Sequence, residues 1–319
     1  MKKPFRSSMR VKTLIIPVLL LFALIDFSHA QTEYRYTAAA KDPSNIITVI
    51  GRMGMHTVQP GETLLDIART YDLGISELTA FYPEKDPWVL EEGSQLQIPA
   101  LWILPPSKSR DIVINVPEMR LYRFHAKKES VSTYPVTVGE EETPTPLGTF
   151  RIVDREIDPE WNIPAKLQHK YSQKIMQAGD DNPIGKYWLG LSKRGYGIHG
   201  TDNAWSVGRI LSNGCIRLYP EDIEKLFPDV QRGAVVEIIY EPVKFGFRNR
   251  VIFVEVHEDP YGLIEDLEQH TRSVAQKMAI DDSLDWEKVY QAMDVKDGVP
   301  TPVGTLPRGY GTKKSSSRR

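Results

Sequence analysis

The sequence predicts an α+β protein in which a small βααβ module precedes a mainly β domain of the sandwich or barrel type and a helical C-terminal region. Three observations support this fold class. A strand–helix–helix–strand pattern occupies residues 55–100, short strand signals with few helices fill residues 110–241, and helical periodicity follows in residues 242–294. With 319 residues, 41% of them hydrophobic, the chain is long enough for two or three domains.

Residues 1–30 have the composition of a secretory signal peptide. Basic residues occur throughout Lys2–Lys12, an apolar run follows at Leu14–Ile25, and Ser28-His29-Ala30 supplies the small residues of a cleavage site. The run is shorter than the roughly 20 apolar residues that span a bilayer, although an uncleaved anchor is the alternative. We therefore expect a soluble mature form that is exported to the periplasm or cell envelope.

The next two segments are a lead, residues 31–54, and the βααβ module, residues 55–100. A Pro-Gly turn ends at Thr63, which is placed to cap a first helix with apolar residues at helical spacing. A second short helix is predicted at Ile75–Phe81, with Ser76 as its cap. An alternating strand closes the module.

A linker at residues 100–109, which carries two adjacent prolines, leads into the domain of residues 110–241. The irregular stretch 154–186, rich in Trp, Pro and polar residues, is typical of a binding lid. Acidic residues after Pro220 indicate a helix. Alternating residues predict the strands Asp111–Val116, Arg120–Phe124, Val131–Val138, Phe150–Val153, Tyr187–Leu191, Tyr196–His199 and Ala234–Tyr240.

The C-terminal region, residues 242–294, is predicted to hold one strand and two helices. The strand signal lies at Ile252–Val256, and amphipathic helices are predicted at Asp259–Ala279 and Ser283–Met293, the second capped by Ser283. Gly, Pro, Ser and basic residues dominate residues 295–319, which we expect to be a disordered tail.

The chemistry of the chain is concentrated between Ile198 and Leu218. This stretch holds the only cysteine, Cys215, and His199 sixteen positions before it. A thiol attacks well only as thiolate, and a neighbouring imidazole can remove its proton. Gly214 lets a substrate approach the backbone, whose N–H groups at Gly214 and Cys215 would face a developing oxyanion. Arg217 could bind a carboxylate or phosphate of the substrate through two hydrogen bonds, or form an internal salt bridge. The alternative is a small buried cysteine without catalytic function.

The motif His-Gly-Thr, a spacer and Ser-x-Gly-Cys-Ile-Arg-Leu resembles the active-site signature of the L,D-transpeptidases, the YkuD-like family. The resemblance covers about Arg110 to Tyr240. It implies that Cys215 is the nucleophile and His199 the general base. Many members have His where this chain has Asn213. The oxyanion or substrate-binding residues expected from the motif are Gly214, Asn213, Ser212, Arg217, Gly200 and Thr201.

Two further stretches carry the resemblance. Thr143–Phe150 is similar to a Thr-Pro-x-Gly-x-Phe element, which is either a wall of the substrate groove or a rigid proline turn. Pro60–Leu64 and Ile67-Ala68 resemble a LysM module, although Phe81-Tyr82-Pro83 stands where Asn-Pro is usual. The second resemblance implies binding to N-acetylglucosamine-containing glycan strands of peptidoglycan. The alternative is a module that only packs on the catalytic domain.

The family resemblance implies a peptidoglycan L,D-transpeptidase. Such an enzyme forms a Cys thioester with a tetrapeptide stem, releases D-Ala and transfers the acyl group to an amine, giving a 3→3 cross-link or an anchored envelope lipoprotein. Transfer to water would make the protein an L,D-carboxypeptidase, and a non-catalytic peptidoglycan-binding protein is a further alternative. Carbapenems, which acylate the family's cysteine, are expected inhibitors.

The composition of the chain argues against nucleic-acid binding, a metal site and an intramolecular disulfide. The net charge of −2 gives no electrostatic argument for a nucleic-acid partner. The seven histidines are scattered and none is paired at zinc-ligand spacing, so we expect no metal and no cofactor. The single cysteine excludes an intramolecular disulfide, and an unpaired thiol in an exported protein suggests a functional reason for keeping it.

Overall fold

The computed structural model describes residues 33–38, 45–107, 111–307 and 310. The predicted signal peptide and the end of the predicted tail, from residue 311 onwards, lie outside these residues. In the described part of the chain, no helix is both long and apolar enough to cross a membrane.

The secondary structure is dominated by short strands. In chain order they are β1 (Glu33–Arg35), β2 (Val49–Gly51), β3 (Gly54–Thr57), β4 (Gln95–Ile98), β5 (Leu101–Ile103), β6 (Ile112–Asn115), β7 (Arg120–His125), β8 (Ser130–Pro135), β9 (Val138–Gly139), β10 (Gly148–Ile157), β11 (Trp161–Asn162), β12 (Ile175–Met176), β13 (Tyr187–Leu191), β14 (Gly197–His199), β15 (Ile210–Ser212), β16 (Ile216–Arg217), β17 (Val235–Ile239), β18 (Val243–Arg248), β19 (Val251–Val256) and β20 (Thr301–Thr305). The α-helices are α1 (Leu64–Thr70), α2 (Ile75–Phe81), α3 (Pro220–Asp229), α4 (Leu267–Lys277) and α5 (Trp286–Val295). Short 3-10 helices lie at Ala165–Lys170, Ala204–Ser206 and Asp281–Ser283.

Nine strands form one curled sheet in the order β1-β8-β7-β6-β17-β10-β13-β14-β16. The pairs β6–β17 and β14–β16 are parallel, and the other neighbours are antiparallel. The sheet curls back on itself, because Thr137, just after β8, exchanges two backbone hydrogen bonds with Arg217 in the last strand. The prediction of a mainly β, barrel-like domain is therefore confirmed.

One face of the sheet packs against α3, and the other face is covered by the βααβ module. Pro220 opens α3, as predicted, and its apolar face, which includes Leu226, joins the main core with Ile198 and Ile216. Tyr122, on the opposite face, belongs to the core of the module. The module therefore shares a hydrophobic core with the nine-stranded sheet and is not a separate domain on a linker.

The module has the predicted order β3, α1, α2 and β4. Thr63 caps α1, because its hydroxyl accepts from the Asp66 N–H at 3.2 Å and its own N–H donates to the Asp66 carboxylate at 2.9 Å. Ser76 is not the cap of α2, so that prediction is wrong. The cap is Gly74, whose N–H donates to the Glu77 carboxylate at 2.7 Å.

The predicted lead and linker are both partly sheet. β1 pairs with β8 at the edge of the nine-stranded sheet, and β2 pairs with β5 inside the predicted linker. The prolines at 105 and 106 suggested a linker from residue 100. The buried run Leu101-Trp102-Ile103 before them forms a strand instead, because its side chains enter two of the hydrophobic cores.

The C-terminal region also holds more sheet than predicted. β18, β19 and β20 form a three-stranded sheet beneath α4 and α5, and β20 lies in the predicted disordered tail. β18 escaped prediction because Gly246 and the buried Lys244 interrupt its apolar pattern. The Lys244 ammonium lies 2.8 Å from Glu118 and 2.7 Å from Glu255, so the charge is paired.

The two C-terminal helices are shorter than predicted at their N-termini. α4 begins at Leu267 with Asp266 as its cap, and α5 begins at Trp286 with Asp285 as its cap, so the prediction of Ser283 is wrong. Each aspartate accepts a hydrogen bond from a backbone N–H three residues later, the pattern of an N-cap.

A buried pair of carboxyl groups lies where the module meets α3. Burial, and then the neighbouring Asp72, raises the pKa of Asp222 from 3.8 to about 8. The folded protein therefore keeps a proton that the unfolded chain releases, and this group's contribution to stability is lost as the pH rises from about 4 to 8. Replacing Asp222 with Asn is expected to stabilise the protein by about 2 kcal/mol at pH 8 and by little at pH 4.

Urea denaturation at several pH values tests this prediction, with Glu224→Gln as a control on the exposed face of the same helix. The control should show the same pH dependence as the wild type. A stability difference for Asp222→Asn that does not grow with pH would contradict the account.

Candidate active site

His199 and Cys215 are brought together by the parallel pair β14 and β16. His199 ends β14 and lies in register with Arg217, while Cys215 comes directly before β16. Side chains alternate along a strand, so Cys215 and Arg217 lie on the same face of the sheet as His199. All three line one cavity of about 630 Å³, together with Asn213. The structure thus unites the predicted nucleophile, base and cationic residue.

The turn before Cys215 is held by its own hydrogen bonds. The buried Ser212 hydroxyl donates to the Cys215 carbonyl at 2.5 Å and accepts from the Gly214 N–H at 3.0 Å. Gly214 has φ +100, and a Cβ there would approach the Tyr196 ring to 2.7 Å. The Gly214 N–H thus has a partner within the turn, and the expectation that the Gly214 and Cys215 N–H groups face an oxyanion stays a prediction. Ser212 and Gly214 shape the turn.

The Thr-Pro element, residues 143–150, is hydrogen-bonded to the turn before Cys215. Thr145 donates to the Gly214 carbonyl at 3.2 Å and accepts from the Gly139 N–H at 2.8 Å. Tyr261, from the C-terminal region, donates to the Gly139 carbonyl at 2.6 Å. Residues 143–150 do not line the cavity. These contacts favour the rigid-turn alternative for the segment over the groove-wall interpretation.

His199 is held as a neutral imidazole. His199 is 3% exposed, and its Nδ1 donates to the Gly200 carbonyl at 2.6 Å, so the neutral ring carries its proton on Nδ1 and its lone pair on Nε2. The Ile184 backbone also interacts with the ring. Burial, and then the charge of Arg217, lowers the His199 pKa to about 3. Gly200 therefore acts through its carbonyl. Thr201 does not line the cavity, because its hydroxyl accepts from the Asn203 N–H at 3.0 Å.

Trp188 is a site residue that sequence reasoning missed. It pairs with His199 across β13 and β14, and the two rings stack with centroids 5.6 Å apart. The indole lies over Gly197, where a Cβ would come within 2.5 Å of it. The available signal was Gly197, which lies two residue pairs away from Trp188 on the neighbouring strand, and it can be recognised only once the register of the two strands is known.

Arg217 is a half-buried cation that lines the cavity. Among the described residues it forms no ion pair, and its Nε has no hydrogen-bond partner. Burial lowers the pKa of its guanidinium, although an arginine stays charged at any physiological pH. The alternative of an internal salt bridge is therefore not what the structure shows.

A flap built from the predicted lid forms the opposite wall of the cavity. β11 pairs with β12, the 3-10 helix Ala165–Lys170 lies between them, and the Trp161 and Tyr171 rings meet edge to face at 5.2 Å. The buried Asn182 amide ties the flap down by donating to the Pro159 carbonyl at 2.9 Å. Cavity-lining residues of the predicted lid segment are Glu156, Pro159, Glu160, Trp161, Asn162, Pro164, Leu167, Lys170, Tyr171, Pro183 and Ile184.

Comparison with known proteins shows the family of this chain. A family model for the YkuD L,D-transpeptidase catalytic domain matches residues 109–238. The probable L,D-transpeptidase YcfS of Escherichia coli is 34% identical over 271 residues, which are 80% of this chain and 85% of that protein. The probable L,D-transpeptidase ErfK/SrfK of the same organism is 33% identical over 256 residues, 76% of this chain and 80% of that one. YbiS, with the same description, is 32% identical over 246 residues, 74% and 78% of the two chains. The chain therefore belongs to the L,D-transpeptidase family.

Proposed function

We propose that this protein is a peptidoglycan L,D-transpeptidase that works through a thioester on Cys215. The observation that carries the proposal is the juxtaposition of Cys215, His199 and Arg217 on one face of the β14–β16 pair, in a single cavity. A nucleophile, a base with an oriented lone pair and a cationic substrate contact are the parts that acyl transfer needs.

The chemistry begins with the Cys215 thiol, whose proton passes to Nε2 of His199 as the sulfur attacks the stem carbonyl. The C–N bond to the terminal D-Ala then breaks, and His199 returns the proton to the leaving amine. An acceptor amine attacks the thioester, gives its proton to His199 and displaces the sulfur, which recovers a proton. Gly200 keeps the imidazole oriented throughout by accepting its Nδ1–H.

The test uses the full mature chain and a disaccharide-tetrapeptide fragment. We expect D-Ala release together with a cross-linked dimer, detected by mass spectrometry. Release of D-Ala without a dimer, even when an amine acceptor is added, would assign the carboxypeptidase alternative. No release would overturn the proposal in favour of a non-catalytic peptidoglycan-binding protein.

Arg217 is the proposed contact for a stem carboxylate. A hydrogen bond to a charged group is worth about 1.5–3 kcal/mol, so Arg217→Met is expected to raise the KM for the stem about 10- to 100-fold. Steady-state kinetics with the tetrapeptide substrate measure this effect. Arg232→Met is the control, because Arg232 is exposed and pairs with Asp154 outside the cavity. An unchanged KM in Arg217→Met would remove Arg217 from the binding site.

The cell envelope is the proposed location, and the signal-like residues 1–30 support it. The acceptor in that compartment is either a second stem or the lysine of an envelope lipoprotein. The acyl-enzyme is incubated with both acceptors together. The masses of the products then show which acceptor was used.

Glycan binding by the βααβ module is the second part of the proposal. Two apolar side chains on the loop after α2, Trp88 and Val89, are 51% and 74% exposed, and Met55 on β3 is 49% exposed. Exposed apolar groups on one small module favour a binding surface. Trp88→Ala is expected to weaken co-sedimentation with purified sacculi about tenfold, since a buried aromatic contact is worth about 1.5 kcal/mol.

Trp205→Ala is the control for this experiment, because Trp205 is an exposed tryptophan outside the module. Removing the whole module is less informative, because its core includes Tyr122 and Val131 of the catalytic sheet. Unchanged sedimentation of Trp88→Ala would favour the alternative in which the module only packs on the catalytic domain.

A further inference from the structure

The βααβ module touches the chain on both sides of the nucleophile. The first contact joins Gly74, the cap of α2, to Gly208, seven residues before Cys215. A Cβ on Gly74 would lie 2.7 Å from the Gly208 Cα, and a Cβ on Gly208 would lie 2.4 Å from the Gly74 Cα. The two backbones are therefore packed as closely as glycines allow.

The second contact lies just after the nucleophile. The buried Tyr219 hydroxyl donates to the Leu73 carbonyl at 3.2 Å. The Arg69 guanidinium grips the Glu221 carboxylate with two hydrogen bonds of 2.6 and 2.8 Å. Leu73 and Gly74 are consecutive, so one corner of the module holds both flanks of the segment from Gly208 to Glu221.

This corner is itself fixed to the catalytic sheet. Arg120 on β7 is fully buried and donates to the Asp72 carbonyl at 2.9 Å and to the Glu77 carboxylate at 2.7 Å. Trp102 donates to the same carboxylate at 2.9 Å, and the Arg120 guanidinium lies 4.2 Å from its ring. A buried cation with this set of partners leaves the corner little freedom to move.

The flank at Gly208 is also linked to the cationic site residue. The Gly208 N–H donates to the Val136 carbonyl at 3.2 Å, and the next residue, Thr137, exchanges both backbone hydrogen bonds with Arg217. The Thr137 hydroxyl donates to the Ser206 carbonyl at 2.7 Å. A shift at Gly208 is therefore transmitted to the strand that carries Arg217 and follows Cys215.

We infer that the βααβ module is a positioning element of the active site, with Gly74, Gly208 and the Arg69–Glu221 pair as its positioning residues. The docked corner holds the nucleophile turn in its reactive geometry, whether or not the module binds a glycan. The inference rests on the proposed acyl-transfer function. It differs from glycan recruitment because it predicts an effect on substrates that contain no sugar.

The first test compares two glycine substitutions in the full chain. Gly74 has φ −77, so alanine is acceptable there except for the clash with Gly208. Gly54→Ala is the matched control in the same module, since its Cβ would meet Ile98 at an ordinary 3.5 Å. The probe is a carbapenem, which carries no glycan, and the readout is the acylation rate by intact-protein mass.

For Gly74→Ala we expect the first-order acylation constant to fall about tenfold or more, because small misplacements of reacting groups have large rate effects. The carbapenem concentration at half-maximal rate should stay unchanged, and Gly54→Ala should be acylated at the wild-type rate. Equal acylation constants for Gly74→Ala and the wild type would overturn the inference. Failure of the wild type itself to be acylated would overturn the proposed function instead.

The second test does not depend on Gly74→Ala folding well. Arg69→Glu and Glu221→Arg each break the two-pronged ion pair with a charge repulsion, and each should slow carbapenem acylation. The double variant restores opposite charges and should recover the rate toward that of the wild type. A structural role alone would lower the melting temperature without this rate rescue. Wild-type acylation in both single variants would also contradict the inference.

Discussion

Replacing Cys215 with alanine is expected to abolish D-Ala release, with a fall in kcat of at least about 10⁴-fold, since removing a nucleophile leaves only binding and polar stabilisation. Cys215 is the only cysteine of the chain and lies partly exposed in the cavity wall. No second thiol is present to replace it. Steady-state release of D-Ala from the tetrapeptide fragment measures the loss.

Cys215→Ser is the control for this experiment, because it keeps the size of the side chain and offers a weaker nucleophile. Both variants should keep the wild-type melting temperature, because Ser212 and Gly214 hold the turn through contacts that do not use the sulfur. Substantial D-Ala release by Cys215→Ala would show that another residue carries the chemistry.

Replacing His199 with alanine is expected to slow formation of the thioester about 10²- to 10⁴-fold, the range contributed by a positioned general base. This step is measured separately from later ones by quenching the reaction with a carbapenem at several times and recording the intact-protein mass. His199→Gln is the control, because glutamine keeps much of the volume beneath Trp188 but cannot act as a base near neutral pH.

The pH profile gives a sharper form of this prediction. Burial, with the charge of Arg217, lowers the pKa of His199 to about 3, so the imidazole stays unprotonated as the pH falls from 7 to 5. An ordinary imidazole would be mostly protonated at pH 5. The acylation rate should therefore show no inflection near pH 6.5. An inflection there would mean that His199 titrates as an exposed residue.

The site was largely predictable because its residues lie in one short, unusual stretch. Ser212-Asn213-Gly214 are turn formers before a lone cysteine, and His199 ends a strand, which made the pair a candidate. The resemblance of the surrounding motif to the L,D-transpeptidase signature then assigned the roles of nucleophile and base. The hydrogen bond from the Gly214 N–H to the Ser212 hydroxyl was not predicted, because residue spacing alone does not reveal a partner within the turn.

The fold was predictable where apolar periodicity was clean and failed where buried charges or prolines disturbed it. The strands of the catalytic domain and the helices and strands of the module follow the apolar periodicity of their sequences. β18 did not, because Lys244 is buried with Glu118 and Glu255, and its pairing with Glu118 joins distant parts of the chain. Trp188 was missed for a similar reason, since its stacking on His199 depends on a register between strands.

The measurement that tests the central claim most directly is the mass of the protein during turnover. The full mature chain is mixed with the tetrapeptide fragment, without an amine acceptor, and quenched in acid after a short time. We predict one adduct equal to the fragment less its D-Ala, mapped by peptide sequencing to Cys215 and absent from Cys215→Ala. D-Ala release with no adduct on Cys215, or an adduct on another residue, would contradict the thioester account.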